Sequence, residues 1–260
     1  MNVIRMNLPW EGKTQEEIDT FEELKGSCDE VWLGLWGYYP EEELERMEKN
    51  FSRTVEHLKK AGIRYVFEMG ANLGHSHADG ESPVTEPFRN MVDFYGRSFH
   101  GTYCPRCENL RAYQHRVITR YAKYKPYAVM IDDDTRLEFH GHLGYGCFCD
   151  VCIRLFNERY GYSLTRDEIR RKFLTDSDFR RKYVEFDRDS LADYVSFIAG
   201  EVMAVSPDSR MGYENVVLGG FHGGNHTHIW EALHRVSGKD VIARSGNGMY
   251  MDYEPRNTLT

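Results

Sequence analysis

Glu30–Trp36 reads EVWLGLW, a run with almost no polar face. A strand with one wet side alternates apolar and polar residues. A near-continuous apolar run instead fits a parallel sheet covered on both faces. Working outward, 3–8 precedes it as a strand, and 63–69 (IRYVFEM), 127–131 (YAVMI), 211–218 and 240–243 follow. Helical patterns lie between them. Residues 14–25 carry acidic residues in the first turn. Pro40 opens 41–60 and Gly62 closes it, with Leu44, Met47, Phe51, Val55 and Leu58 at helical spacing. Further helices are expected over 109–124, 151–160, 164–174, 178–204 and 228–236, with Thr165 and Glu168 placed as a capping box. Segments 78–103 and 135–152 read as long irregular loops.

Repeated strand–helix alternation with about six strands predicts an α/β fold with a parallel sheet. The expected form is a (β/α)8 barrel, incomplete at about six strands, in one domain over 1–260. A doubly wound sheet is the other option, but no glycine-rich phosphate motif follows an early strand. The long loops all follow strands, which is where a barrel builds its active site.

Hydrophobic residues make up 41% of the chain and charged residues 28%, an ordinary globular balance. The net charge of -8 argues against a nucleic-acid binder, whose affinity rests on neutralising phosphates. No run of 18 apolar residues occurs, and the start, MNVIRMNLPWEG, has no apolar signal-peptide core. A cytoplasmic protein without nucleic-acid or membrane partners is expected, and a homo-oligomer is an allowed state.

Five of the six cysteines fall between 104 and 152. Cys104 and Cys107 form a C-x2-C, and Cys147, Cys149 and Cys152 form a C-x-C-x2-C. Such groups suit a tetrahedral zinc, with unmetallated thiols or disulfides as the alternatives. Four thiolates would leave no open coordination position, so a zinc there would clamp the 101–107 and 147–152 loops rather than catalyse. Cys28, just before a strand, reads as a buried core thiol.

Asp132, Asp133 and Asp134 end an apolar strand and lead to Arg136. Like charges this close raise one pKa, which keeps an acid protonated near neutral pH. The plainer alternative is a polar loop start with an aspartate capping a helix or pairing with Arg136. Three H-x-H pairs (His75 and His77, His140 and His142, His226 and His228) fit substrate contacts, a catalytic metal or ordinary surface histidines. Trp32, Trp36, Tyr38, Tyr39 and Trp230 are aromatic candidates for stacking on a sugar ring, although Trp32 and Trp230 also suit a core.

The stretch Tyr127–Gly161, YAVMIDDDTRLEFHGHLGYGCFCDVCIRLFNERYG, resembles the middle of the family 42 glycoside hydrolases, the zinc-containing β-galactosidases. Members there carry an apolar strand ending in Asp-Asn-Glu, then a His, then C-x-C-x2-C leading into a helix with a terminal Tyr-Gly. Tyr103, Cys104 and Arg111 fall where that family has a Tyr-Cys and an Arg seven positions on. The resemblance implies zinc ligands Cys104, Cys147, Cys149 and Cys152, with Cys107 a nearby extra thiol. It matches Asp134 to the family's general acid/base Glu, Asp133 to the Asn and Asp132 to the Asp.

Asp is one methylene shorter than Glu, and Asp133 cannot donate the hydrogen bond of an Asn. The implied activity is hydrolysis of a β-galactoside or related carbohydrate. Asp134 would be the proton donor and Asp132 would tune it. Arg136 would orient the group, and Asn72, His75, His77, His140 and Trp36 would bind substrate. The family's nucleophile follows strand seven, beyond the six strands visible here, with Asp252 and Glu254 as tail substitutes. The alternatives are a non-catalytic carbohydrate-binding barrel with a structural zinc, and a His-ligated metal-dependent hydrolase.

Overall fold

The computed structural model describes residues 3–7, 26–70, 72–74, 87–139, 142–216 and 226–246. Six strands run parallel in one sheet: β1 (Val3–Asn7), β2 (Glu30–Leu35), β3 (Arg64–Met69), β6 (Ala128–Ile131), β9 (Arg210–Val216) and β10 (Ile242–Gly246). They pair strictly in that order, Val3 with Glu30, Gly34 with Glu68, Glu68 with Met130, Met130 with Gly212, and Gly212 with Ile242. Sequential parallel neighbours joined by helices are the arrangement of a (β/α)8 barrel. Among the described residues six of its strands are present, so the expected incomplete α/β barrel is the observed fold.

Helices α1 (Glu41–Ala61), α2 (Glu108–Ala122), α3 (Asp150–Tyr160), α4 (Arg166–Thr175), α5 (Ser177–Val205) and α6 (His226–Ser237) connect the strands. Their bounds fall within two residues of the expected ones. The helix expected over 14–25 lies outside the described residues. In α1, Glu41, Glu42 and Glu43 occupy the first turn and Lys59 and Lys60 the last, each complementing the helix dipole. Gly62 closes α1 in the left-handed conformation, at φ 72°.

Leu44, Met47, Phe51, Val55 and Leu58 of α1 are fully buried against Leu33, Phe67 and Tyr65 in the helix-facing core. Cys28 is buried there too, as expected. At α4, Glu168 N–H donates to Thr165 Oγ1 and Thr165 N–H donates to Glu168 Oε2 at 2.8 Å. Thr165→Ala removes this capping box, at a cost of about 1 kcal/mol. The expected result is a melting temperature lower by roughly 2–4 °C in a calorimetric scan.

Two expected loops contain hairpins. Segment 78–103 holds β4 (Asn90–Val92) and β5 (Ser98–Tyr103), and segment 135–152 holds β7 (Glu138–Phe139) and β8 (His142–Tyr145). Both pairs are antiparallel and carry a register shift. The strands are too short, at two to six residues, to show a period in sequence. No described helix is long and apolar enough to cross a membrane.

Candidate active site

Side chains on a strand alternate between faces, so every second residue points into the barrel. Trp32, Val66, Ala128 and Met130 pack there as a small separate cluster with Tyr127 and Ile242 against it. Trp32 is therefore core, not a sugar platform. In the next row up, register aligns Gly34, Glu68, Met130 and Gly212. A Cβ on Gly212 would collide with Met130 Sδ, and one on Gly34 with the Trp36 indole and Glu68. Nearer the mouth, Asp132 follows β6 and Glu214 stands two residues beyond Gly212.

One carboxylate oxygen each from Glu68, Asp132 and Glu214 lies within 4.8 Å of the others. All three residues are buried. Glu214 ion-pairs with Arg244, its register partner on β10. Glu68, Glu214 and Arg244 escaped the sequence reading. Each is a lone charge inside an apolar or mixed strand run, YVFEM, GYENV or IARSG, and that isolated charge was the available signal.

Asp132, Asp133 and Asp134 also bring one carboxylate oxygen each within 4.8 Å of the others, and all are buried. Read as a continued strand, the sequence puts Asp132 and Asp134 on one side and Asp133 on the other. The strand instead stops at Ile131, and a turn does the work. Thr135 N–H donates to Asp132 O at 3.2 Å, and Asp134 N–H donates to Asp132 Oδ1 at 3.1 Å. Arg136 reaches Asp134 Oδ1 at 2.8 Å and Asp133 Oδ2 at 3.5 Å.

Burial pushes the Asp132 carboxyl up to about 8, helped by the charges of Asp134, Asp133 and Glu68 and opposed by the Asp134 N–H. Tyr213 lies beside the same charges; burial first, then Asp133 and Asp132, push its phenol far up.

Asn72 sits next to Asp132: Asn72 Nδ2 and Asp132 N–H both donate to Met69 O, at 2.6 and 3.1 Å. Its own carbonyl accepts from Tyr38 OH at 2.8 Å and Tyr194 OH at 3.2 Å. The loop after β3 is pinned to β5, where Tyr103 N–H donates to Leu73 O at 2.6 Å. Gly74 is required at this crossing: its φ is 94°, and a Cβ would strike Gly101 O.

The structure thus gathers Asp132, Asp134, Arg136, Asn72 and Trp36 at the C-terminal ends of β2, β3 and β6. Tyr38 is instead engaged with the rings of Phe88, Tyr103 and Tyr113. His75, His77, His140, Asp252 and Glu254 lie outside the described residues. His228 stands on α6, 3.4 Å from Asp189. Among the described residues no histidine joins a cluster able to hold a metal.

The cysteines form a second site. Cys104 follows β5, Cys147 follows β8, Cys149 is the N-cap of α3, and Cys152 lies in its first turn. The four thiols are free, buried and clustered. Cys104 Sγ stands 3.6 Å from Cys152 Sγ and 3.8 Å from Cys149 Sγ. A tetrahedron with metal–sulfur bonds near 2.3 Å has edges of about 3.8 Å, so the donor set fits one tetrahedral ion. Cys107 is excluded from the cluster: it caps α2 and accepts the Arg89 N–H at 3.1 Å.

Phe148 between the ligands stacks on Tyr183 at 4.2 Å, and Tyr183 OH donates to Cys147 O at 3.0 Å. Asp187 accepts the Cys147 N–H, and burial holds its carboxyl well above the usual range.

No family model matches the chain, and no curated protein matches it. Solved structures do. The polyextremophilic β-galactosidase from the Antarctic haloarchaeon Halorubrum lacusprofundi superposes with a TM-score of 0.64 at 18% identity, over 94% of this chain and 40% of that one. The β-galactosidase from the psychrophilic Marinomonas ef1 gives 0.65 at 15% identity, over 94% and 40%. The catalytic domain of β-amylase from Paenibacillus polymyxa gives 0.64 at 11% identity, over 93% and 76%. The chain therefore spans 40% of the length of these two β-galactosidases. At such identities the likeness is one of fold: the chain shares the barrel architecture on which these β-galactosidases and this β-amylase are built.

Proposed function

We propose that the chain is a glycoside hydrolase acting on a β-galactoside or related carbohydrate through carboxylate acid/base catalysis. One observation carries this reading: Asp132 is buried at the C-terminal mouth of a barrel strand among other carboxylates, an environment that favours keeping its proton near neutral pH. The barrel likeness to glycosidases agrees with it.

Asp132 is the proton donor. Burial holds the proton on Asp132, and Asp134, tied to Arg136, adds the negative charge that reinforces it. This exchanges the two roles implied by the family 42 resemblance. Asn72, Arg136 and Trp36 contact the sugar, together with His75, His77 and His140. Zinc held by Cys104, Cys147, Cys149 and Cys152 clamps the β5–α2 and β8–α3 junctions and takes no part in bond breaking, because four thiolates leave no open position.

The test is turnover of a panel of aryl glycosides, with aryl β-galactosides included, by the purified chain at neutral pH. Release of the aryl alcohol is expected, and it should fall as the pH rises through about 8, when Asp132 loses its proton. A chain that releases no aryl alcohol from any member, yet binds sugar, is a carbohydrate-binding barrel, and the catalytic reading is then wrong.

A further inference from the structure

We propose that Glu214, on the fifth strand of the sheet, is the second catalytic carboxylate and acts as the nucleophile opposite Asp132. This rests on the glycosidase reading above. Three observations on separate elements support it.

Register places Glu214 level with Asp132, one row above Glu68, and their carboxylate oxygens lie within 4.8 Å of each other. Retaining glycosidases hold their two carboxyl groups about 5–5.5 Å apart, and inverting ones roughly 6.5–9.5 Å. Next, Arg244 on the adjacent strand ion-pairs with Glu214. A nearby cation favours the charged form of a carboxylate, which is the form a nucleophile needs. Last, Asn72 Oδ1 is buried without a hydrogen-bond partner, on a side chain whose Nδ2 shares Met69 O with the Asp132 N–H. A buried acceptor left unmet is costly, and a sugar hydroxyl is a donor suited to it.

The two carboxylates then divide the work. A Glu214 oxygen attacks the anomeric carbon while the bond from that carbon to the leaving oxygen breaks. The bonding pair stays on the leaving oxygen, which takes the Asp132 proton. Water next attacks the same carbon and gives a proton to Asp132, and the Glu214 carboxylate departs with its bonding pair. Two displacements return the original anomeric configuration. Glu68, one row deeper, adds charge beneath Asp132.

The experiment uses the full chain with an activated aryl galactoside. Glu214→Ala should lose turnover, and sodium azide should restore it while yielding a glycosyl azide of inverted configuration. A residue that merely braces the barrel gives no such rescue. Because the variant removes a buried charge partner of Arg244, the wild-type chain supplies a second measurement. A galactoside fluorinated beside the anomeric carbon should trap a covalent adduct, and peptide mass mapping should place it on Glu214.

Azide rescue together with an adduct on Glu214 supports the proposal. An adduct on another carboxylate, an inverted product from the wild type, or full activity in Glu214→Ala overturns it and leaves the glycosidase reading standing. A wild-type chain that turns over no aryl glycoside overturns both.

Discussion

Asp132→Asn is expected to cut turnover of an aryl glycoside by about 10²–10⁴-fold, the usual cost of removing a proton donor. Asn keeps the shape of Asp132 and its neighbours, but it has no acidic proton to give. The loss should be smallest for leaving groups that depart without help, since those need protonation least.

The same substitution changes the pH dependence of stability. An unfolded aspartate titrates near 3.9, whereas Asp132 in the fold is pushed up to about 8. Across that window the folded chain holds a proton that the unfolded chain has released. Its stability is therefore greatest below the window and falls as pH rises through it. Asn cannot ionise, so the variant lacks this slope. Melting curves between about pH 5 and about pH 8 should show the wild type losing stability more steeply than Asp132→Asn. A variant that is less active yet comparatively more robust at the alkaline end is the signature of an acid held by burial. Parallel melting curves, or full activity in Asp132→Asn, would show that Asp132 is not that acid.

The second large effect belongs to the cysteines. Cys149→Ser, or prolonged chelation, should remove the metal and destabilise the chain by roughly 3 kcal/mol or more, because metal binding at a structural site is folding free energy. For a chain of this size that is a fall in melting temperature of roughly 10 °C. Cys149 caps α3 while Cys104 follows β5, so losing the ion unfastens two junctions at once. Cys107→Ser is the control: Cys107 lies outside the four-sulfur cluster, and zinc content should stay at one per chain. Metal analysis with a thermal scan on both variants settles the point. Zinc-free wild-type protein with an unchanged melting temperature would remove the clamp.

The parallel strands were legible because both their faces are covered, which leaves continuous apolar runs such as EVWLGL and AVMI. The cysteine cluster was legible because its members sit at short, chemically specific spacings. Spacing alone does not separate Cys107 from Cys104, since both satisfy the same C-x2-C; the resemblance singled out Cys104, and the fold places Cys104 in the cluster. Glu68 and Glu214 were not legible as a pair. They lie on strands far apart in sequence, and only the registers of β3, β6 and β9 bring them to one Asp132. The closeness of Asp134 to Asp132 was anticipated for the wrong reason: a turn, not strand alternation, folds it back.

The order of the strands has a kinetic consequence. β2, β3 and β6 each dock against a strand that precedes them in the chain, and the thiols of Cys104 and Cys152 lie 48 residues apart. β9 must return to β6 across a longer excursion: Arg210, at its start, meets Tyr127 across 83 residues. Closing long loops is entropically costly and slows folding. The sheet should therefore assemble from its N-terminal side, with β9 docking late. Refolding chains would then acquire the Asp132 side of the barrel before Glu214 arrives, and any activity that needs both carboxylates should lag behind the recovery of helical signal.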